Sequence, residues 1–144
     1  MGKDQRLEIA KQVLKAEQLF KARQFKKAGK KYYLAGNSFL KLNEFEKAKD
    51  CFINSSKAFV KTEKFDTVIE LLRQSGEACL YIDKYLNANQ IYKEALSYVP
   101  KLKNEGERSS NLITFSVLSY LCSFLKGVPE EGLDHIKKIQ KKSG

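Results

Sequence analysis

A period of twenty residues runs through the middle of the chain without insertion or deletion. Phe25, Phe45, Phe65 and Tyr85 mark its beats. Three residues after each comes Ala28, Ala48, Val68 or Ala88, and seven after each comes Tyr32, Phe52, Leu72 or Tyr92. A slot that begins small follows at Ala35-Gly36, Ser55-Ser56, Ser75-Gly76 and Ala95-Leu96. Phe39, Phe59, Cys79 and Val99 close the series. Offsets of 0, 3, 7, 10, 11 and 14 lie on one face of an α-helix and on no face of a strand. A helix of about 16 residues and a turn of about four fill each unit, so two units make a helical hairpin of about forty. One such unit cannot bury its apolar face alone, and the pattern predicts an all-α, right-handed α-solenoid of antiparallel helical hairpins.

The boundaries follow from local chemistry. A first helix is expected from Asp4, as its N-cap, to about Ala22, with its second half already in the repeat register. The next four are expected over about 25–42, 45–62, 65–82 and from Asp83, with Asn43 and Asp83 as N-caps. The connections are short, and short turns put neighbours antiparallel. A second apolar row, Tyr33 and Leu40 in one helix and Ile53 and Val60 in the next, suits helices packed on both sides. The small slot lets neighbouring backbones approach.

The apolar register is lost after Tyr98. Pro100 and Gly106 bracket a polar stretch read as a loop or ragged helix end. A sixth helix is expected from Ser110 or Asn111 to Lys126, and Leu112, Ile113, Phe115, Leu118, Leu121, Cys122 and Leu125 give it the most buried look of the set. Gly127 would stop it, and Pro129 would open a seventh helix ending in Lys137, Lys138, Lys141 and Lys142. About seven helices in one domain over residues 1–144 is the expectation. No Gly/Ser-rich or low-complexity stretch marks a second domain.

Several functions find no residues to carry them. His135 is the only histidine, so a Cys–His or Ser–His pair has no nearby second member. Gly29 and Gly36 sit inside a helix pattern rather than a phosphate loop, and metal-ligand spacing is missing. The expectation is no enzyme, no cofactor and no metal. Cys51, Cys79 and Cys122 are odd in number, lack a CxxC and fall on apolar or small helix positions, which suggests reduced thiols in a cytosol. The first residues carry no secretory signal, and the uncharged run from Ser109 to Leu125 is too short and polar to span a bilayer. A cytoplasmic chain, at most peripheral to a membrane, is expected.

Charge carries the remaining functional signal. The net charge is +10, and residues 1–64 hold 16 Lys/Arg against 7 Asp/Glu. This distribution would steer an acidic partner to one end of the molecule. Arg23, Lys26, Lys27, Lys30 and Lys41 point away from the repeat face, with Lys31 at its margin and Leu34 outward among them. Two units on, Asp66, Glu70, Gln74 and Glu77 hold the equivalent face, so one layer would grade from basic to acidic. Arg23, Lys26, Lys27, Lys30, Lys31, Leu34 and Lys41 are therefore the candidate partner-binding residues. Leu34 would serve as an apolar anchor within a polar rim. The plain alternative is a solvated face that serves solubility.

The order of residues in the repeat resembles one family. The run Phe25-Lys26-Lys27-Ala28-Gly29-Lys30-Lys31-Tyr32-Tyr33-Leu34-Ala35-Gly36, then Lys41-Leu42-Asn43-Glu44, then Ala48-Lys49-Asp50-Cys51-Phe52, is similar to the helical hairpins of the soluble NSF attachment proteins, the SNAPs. The likeness covers about residues 13–96, and a hairpin of forty departs from the 34 residues of a tetratricopeptide repeat. It implies an adaptor that lies along a bundle of SNARE helices through basic residues on one broad face, in vesicle trafficking or membrane fusion. The chain departs from the family in being about half a member's length and in lacking an apolar membrane-attachment loop between its first helices. Its end, Lys141-Lys142-Ser143-Gly144, is not acidic and leucine-bearing, so recruitment of the family's hexameric AAA ATPase is not expected.

Two other classes stay open. Nucleic-acid binding would use the basic charge, but Tyr32 belongs to the core row and stacking platforms are otherwise missing. Peripheral contact with an anionic membrane would need only the lysines.

Overall fold

The computed structural model describes residues 2–126. Six α-helices run in sequence among them: α1 (Gly2–Lys21), α2 (Phe25–Lys41), α3 (Phe45–Lys61), α4 (Phe65–Tyr81), α5 (Tyr85–Tyr98) and α6 (Glu105–Lys126). A 3-10 turn, Val99–Lys101, precedes α6. Each helix packs chiefly on its neighbours in sequence. The count among the described residues is thus six, and the seventh helix expected from Pro129 lies outside them.

Helices α2, α3 and α4 have 17 residues each, and three residues link each to the next, which accounts for the twenty-residue period. The turns work differently from the capping expected of them. Arg23, Asn43, Glu63 and Asp83 have φ of 61°, 57°, 58° and 56°. Each is the left-handed residue that ends a helix, not one that starts the next. The N–H of Asn43 donates to the Leu40 carbonyl at 3.0 Å and that of Glu44 to Phe39 at 2.9 Å. This pair of bonds defines a Schellman stop. The same pair recurs at Arg23 and Gln24, at Glu63 and Lys64, and at Asp83 and Lys84. Asn43 and Asp83 therefore close α2 and α4. Gln24, Glu44, Lys64 and Lys84 hold the N-cap positions without a side-chain cap. Asp4 likewise lies inside the first turn of α1 rather than capping it.

The repeat face is the core. Ala28, Tyr32, Ala35 and Phe39 are buried in α2, Ala48 and Phe52 in α3, Val68, Leu72 and Cys79 in α4, and Ala88, Tyr92 and Ala95 in α5. The small slots are sockets for the large residues of the next helix. A Cβ on Gly36 would stand 2.7 Å from the Phe52 ring, and one on Gly76 would strike Tyr92. The serines of the slot add a bond across the seam. Ser55 Oγ donates to the Gly29 carbonyl at 2.7 Å, and Ser75 Oγ repeats this on the Lys49 carbonyl at 3.1 Å, both 26 residues apart.

The aromatic beats lie where helix ends meet. Phe45, opening α3, stacks on Tyr81 at the end of α4 with centroids 4.9 Å apart, and Phe65, opening α4, stacks on Tyr98 at the end of α5 at 5.8 Å. Alternate helices also touch. Arg6 of α1 pairs with Glu44 at 2.8 Å, and Lys84 pairs with Glu46 of α3 at 2.7 Å.

The sixth helix departs from expectation twice. It begins at Glu105, five residues before Ser110, because Asn104 Oδ1 accepts the Glu107 N–H at 2.9 Å as an N-cap. It is also not the most buried helix. Phe115, Ser119 and Cys122 face α5, with Ser119 donating to Asn89 Oδ1 at 2.5 Å, whereas Leu112, Ile113 and Leu121 are exposed, as are Val117, Tyr120 and Phe124. An inner helix such as α4 is buried on two sides, but α6 meets a neighbour on one side only among the described residues.

A lysine-rich groove as the candidate functional site

The first turns of α2 carry Lys26, Lys27, Lys30 and Lys31 because the repeat face claims only positions 25, 28, 32, 35, 36 and 39. Gly29, Tyr33 and Leu40 pack as well, and Lys26, Lys27, Lys30 and Lys31, among the positions then left over, are exposed, where lysine is a good helix former. All seven candidate residues are exposed. They do not form one patch.

Lys27, Lys30, Lys31 and Leu34 come together with Lys15 and Leu19 of α1 and with Gln24 around a groove of about 460 Å³. Leu34, 55% exposed, and Leu19 supply apolar contact between the ammonium groups. None of Lys15, Lys27, Lys30 and Lys31 forms an ion pair with a carboxylate among the described residues. Four unpaired cations around an apolar seam present an acceptor-hungry surface.

The other candidates lie apart. Arg23 sits in the left-handed turn after α1. Lys26 is exposed but does not line this groove. Lys41, at the far end of α2, borders a separate groove of about 360 Å³ with Glu8, Ile9 and Gln12 of α1. Along a helix axis it is about 21 Å from Lys27.

Lys15 escaped the sequence reading. The register follows the second half of α1 through Ala16, Leu19, Phe20 and Lys21, and a single lysine one position before that row carries no signal of its own. Only the crossing of α1 with α2 brings it beside Lys27 and Lys31.

Three of the four residues expected on the equivalent face of α4 border a space shared with α2, and Glu77 does not. Asp66, Glu70 and Gln74 of α4 share a groove of about 370 Å³ with Lys30 and Tyr33 of α2, floored by Phe59 and Leu71. Part of its charge is spent locally. Arg73 lies between Glu70 and Glu77 and bonds to both, with Arg73 Nε 2.9 Å from Glu70 Oε2. The hydrogen bond from Arg73 holds the Glu70 carboxyl below the usual carboxylate range. Asp66 belongs to no ion pair among the described residues.

The cysteines contribute no site on this face. Cys51, Cys79 and Cys122 are buried and unpaired, and burial pushes the thiol of Cys51 up to about 12 and that of Cys79 up to about 11. Tyr32 is 5% exposed and so offers no stacking platform. Among the described residues no helix is long and apolar enough to cross a membrane, and no cluster of His, Cys, Asp or Glu could hold a metal ion. Neither a family model, nor a curated protein, nor a solved structure matches the chain.

Proposed function

We propose that this chain is a non-enzymatic, SNAP-like adaptor of the cytoplasm. In this reading its helices form a right-handed solenoid of antiparallel hairpins, whose lysine-edged face holds an elongated, acidic helical protein such as a SNARE-type bundle. One observation carries the reading: Lys15, Lys27, Lys30 and Lys31, all without a carboxylate partner, ring an apolar seam formed by Leu19 and Leu34. The start-to-end stacking of Phe45 on Tyr81 and of Phe65 on Tyr98 supports antiparallel neighbours. The interlocked slots support a stack of constant pitch.

An acidic helix laid on such a seam gains attraction from several lysines at once, and apolar contact at Leu34 adds affinity that salt does not screen. Reversing three charges, Lys27→Glu, Lys30→Glu and Lys31→Glu, should weaken binding of a SNARE-type four-helix bundle at least about tenfold. It should also flatten the dependence on salt, as read by fluorescence anisotropy at low and high ionic strength. Affinity unchanged by the triple reversal overturns the proposal, and transfer of the same salt-sensitive binding to anionic liposomes alone would replace the protein partner with a membrane.

A further inference from the structure

The groove between α2 and α4 differs in kind from the lysine-rich one between α1 and α2. Its floor is apolar: Tyr33, which packs against Phe52 with centroids 6.2 Å apart, together with Phe59 and Leu71. Its walls carry opposite charge. Lys30 stands on the α2 side, and Asp66 and Glu70 stand on the α4 side. Lys30 and Asp66 border the same space without pairing with each other, since no ion pair joins them within 4.0 Å. Two unpaired charges of opposite sign across an apolar floor leave room for something between them.

We infer that this groove docks a single amphipathic helix whose two flanks carry opposite charge, acidic toward α2 and basic toward α4. The inference deepens the adaptor reading and rests on it, because it names the second surface such a partner would meet. Charge complementarity selects the occupant. A helix with acidic residues on both flanks would set like charges against Asp66 and Glu70, and one with basic residues on both would do so against Lys30. Burying only an apolar stripe on Tyr33, Phe59 and Leu71 would leave direction unspecified. The split walls specify it: with the apolar stripe down, the acidic flank falls on the α2 side in only one of the two chain directions. The groove therefore reads the polarity of the bound helix as well as its presence.

The test uses three synthetic amphipathic peptides sharing one Leu/Ala stripe. One has a Glu flank and a Lys flank, one has Glu on both flanks, and one has Gln on both. Each is titrated against the full chain, against Asp66→Lys and against Lys30→Glu. Asp66 and Lys30 are exposed, so neither substitution touches the core. Each should weaken the split-flank peptide by about three- to tenfold. Neither should change the Gln-flanked peptide, and Asp66→Lys should improve the all-Glu peptide. An unchanged split-flank affinity in Asp66→Lys overturns the inference, as does an equal loss for the Gln-flanked peptide. Asp66 lies outside the lysine-rich groove, so either result leaves the response of the SNARE-type bundle to Lys27, Lys30 and Lys31 reversal standing or falling by itself.

Discussion

Single small residues decide how closely neighbouring helices of this protein approach. Glycine in a helix interior normally costs about 1 kcal/mol relative to alanine. Gly36 repays that cost by admitting the Phe52 ring, which is fully buried and has nowhere to turn. Gly36→Ala should therefore destabilise the chain by about 1–3 kcal/mol in urea unfolding, against the usual helix preference. A gain in stability would mean that the socket is slack. The buried thiols make a second residue-scale prediction. Cys51 keeps its proton up to about 12 in the folded chain because burial disfavours the thiolate, whereas the ordinary value is 9.0. Above about pH 9 the unfolded chain loses a proton that the folded one retains, so stability present at neutral pH falls as pH rises toward 12. Each such thiol contributes a slope of about 1.4 kcal/mol per pH unit. Cys51→Val should make the alkaline decline shallower, as measured by melting temperature across that range.

Helices α1 to α5 are joined by one repeated turn. A side chain in the left-handed region costs roughly 1–2 kcal/mol, and glycine escapes that penalty at some cost in chain entropy. Arg23, Asn43, Glu63 and Asp83 all bear it. Asn and Asp suit the conformation, whereas Glu and Arg do not. Glu63→Gly should then stabilise the protein by up to about 1 kcal/mol, and Asn43→Gly by less, in paired denaturation curves. Equal gains at the two positions would remove the distinction. These turns also show how far local sequence reached. The twenty-residue spacing locates the four turns between α1 and α5, but Asn43, expected as the N-cap of a helix, marks the end of one. Nothing in a four-residue window separates an N-cap from a left-handed stop: both favour Asn and Asp, and only the path of the backbone hydrogen bonds decides.

At the scale of the whole molecule, burial among the described helices grades from α4 outward to α1 and α6. In α4, Val68, Ile69, Leu71, Leu72, Ser75, Ala78 and Cys79 are buried on two sides, whereas α1 buries Ile9 and Ala16 and α6 buries Phe115, Ser119 and Cys122. A stack held by nearest-neighbour contacts opens from its less supported elements. Amide hydrogen exchange should be slowest in α4 and its flanking helices and fastest in α1 and α6, and uniform protection across all six would contradict a linear stack. The same gradient explains why α6 is less buried than its sequence predicts. Leu112, Ile113 and Leu121 are as apolar as any core residue of α4, and composition cannot say whether a neighbour covers them.

The division between chain and fold follows from the range of the forces involved. Helix geometry repeats every 3.6 residues, so the residues from Phe25 to Val99 by themselves determined which face of each helix is apolar, where small side chains recur and where lysines are left over. Contacts between residues far apart in the chain depend on how neighbouring helices cross, and no local pattern encodes that crossing. Tertiary structure alone set Ser55 on the Gly29 carbonyl, drew Lys15 to the lysines of α2 and, among the described residues, left one side of α6 without a neighbour. It also split Lys30 and Asp66 across a common floor, where an isolated helix would have shown only a charged face.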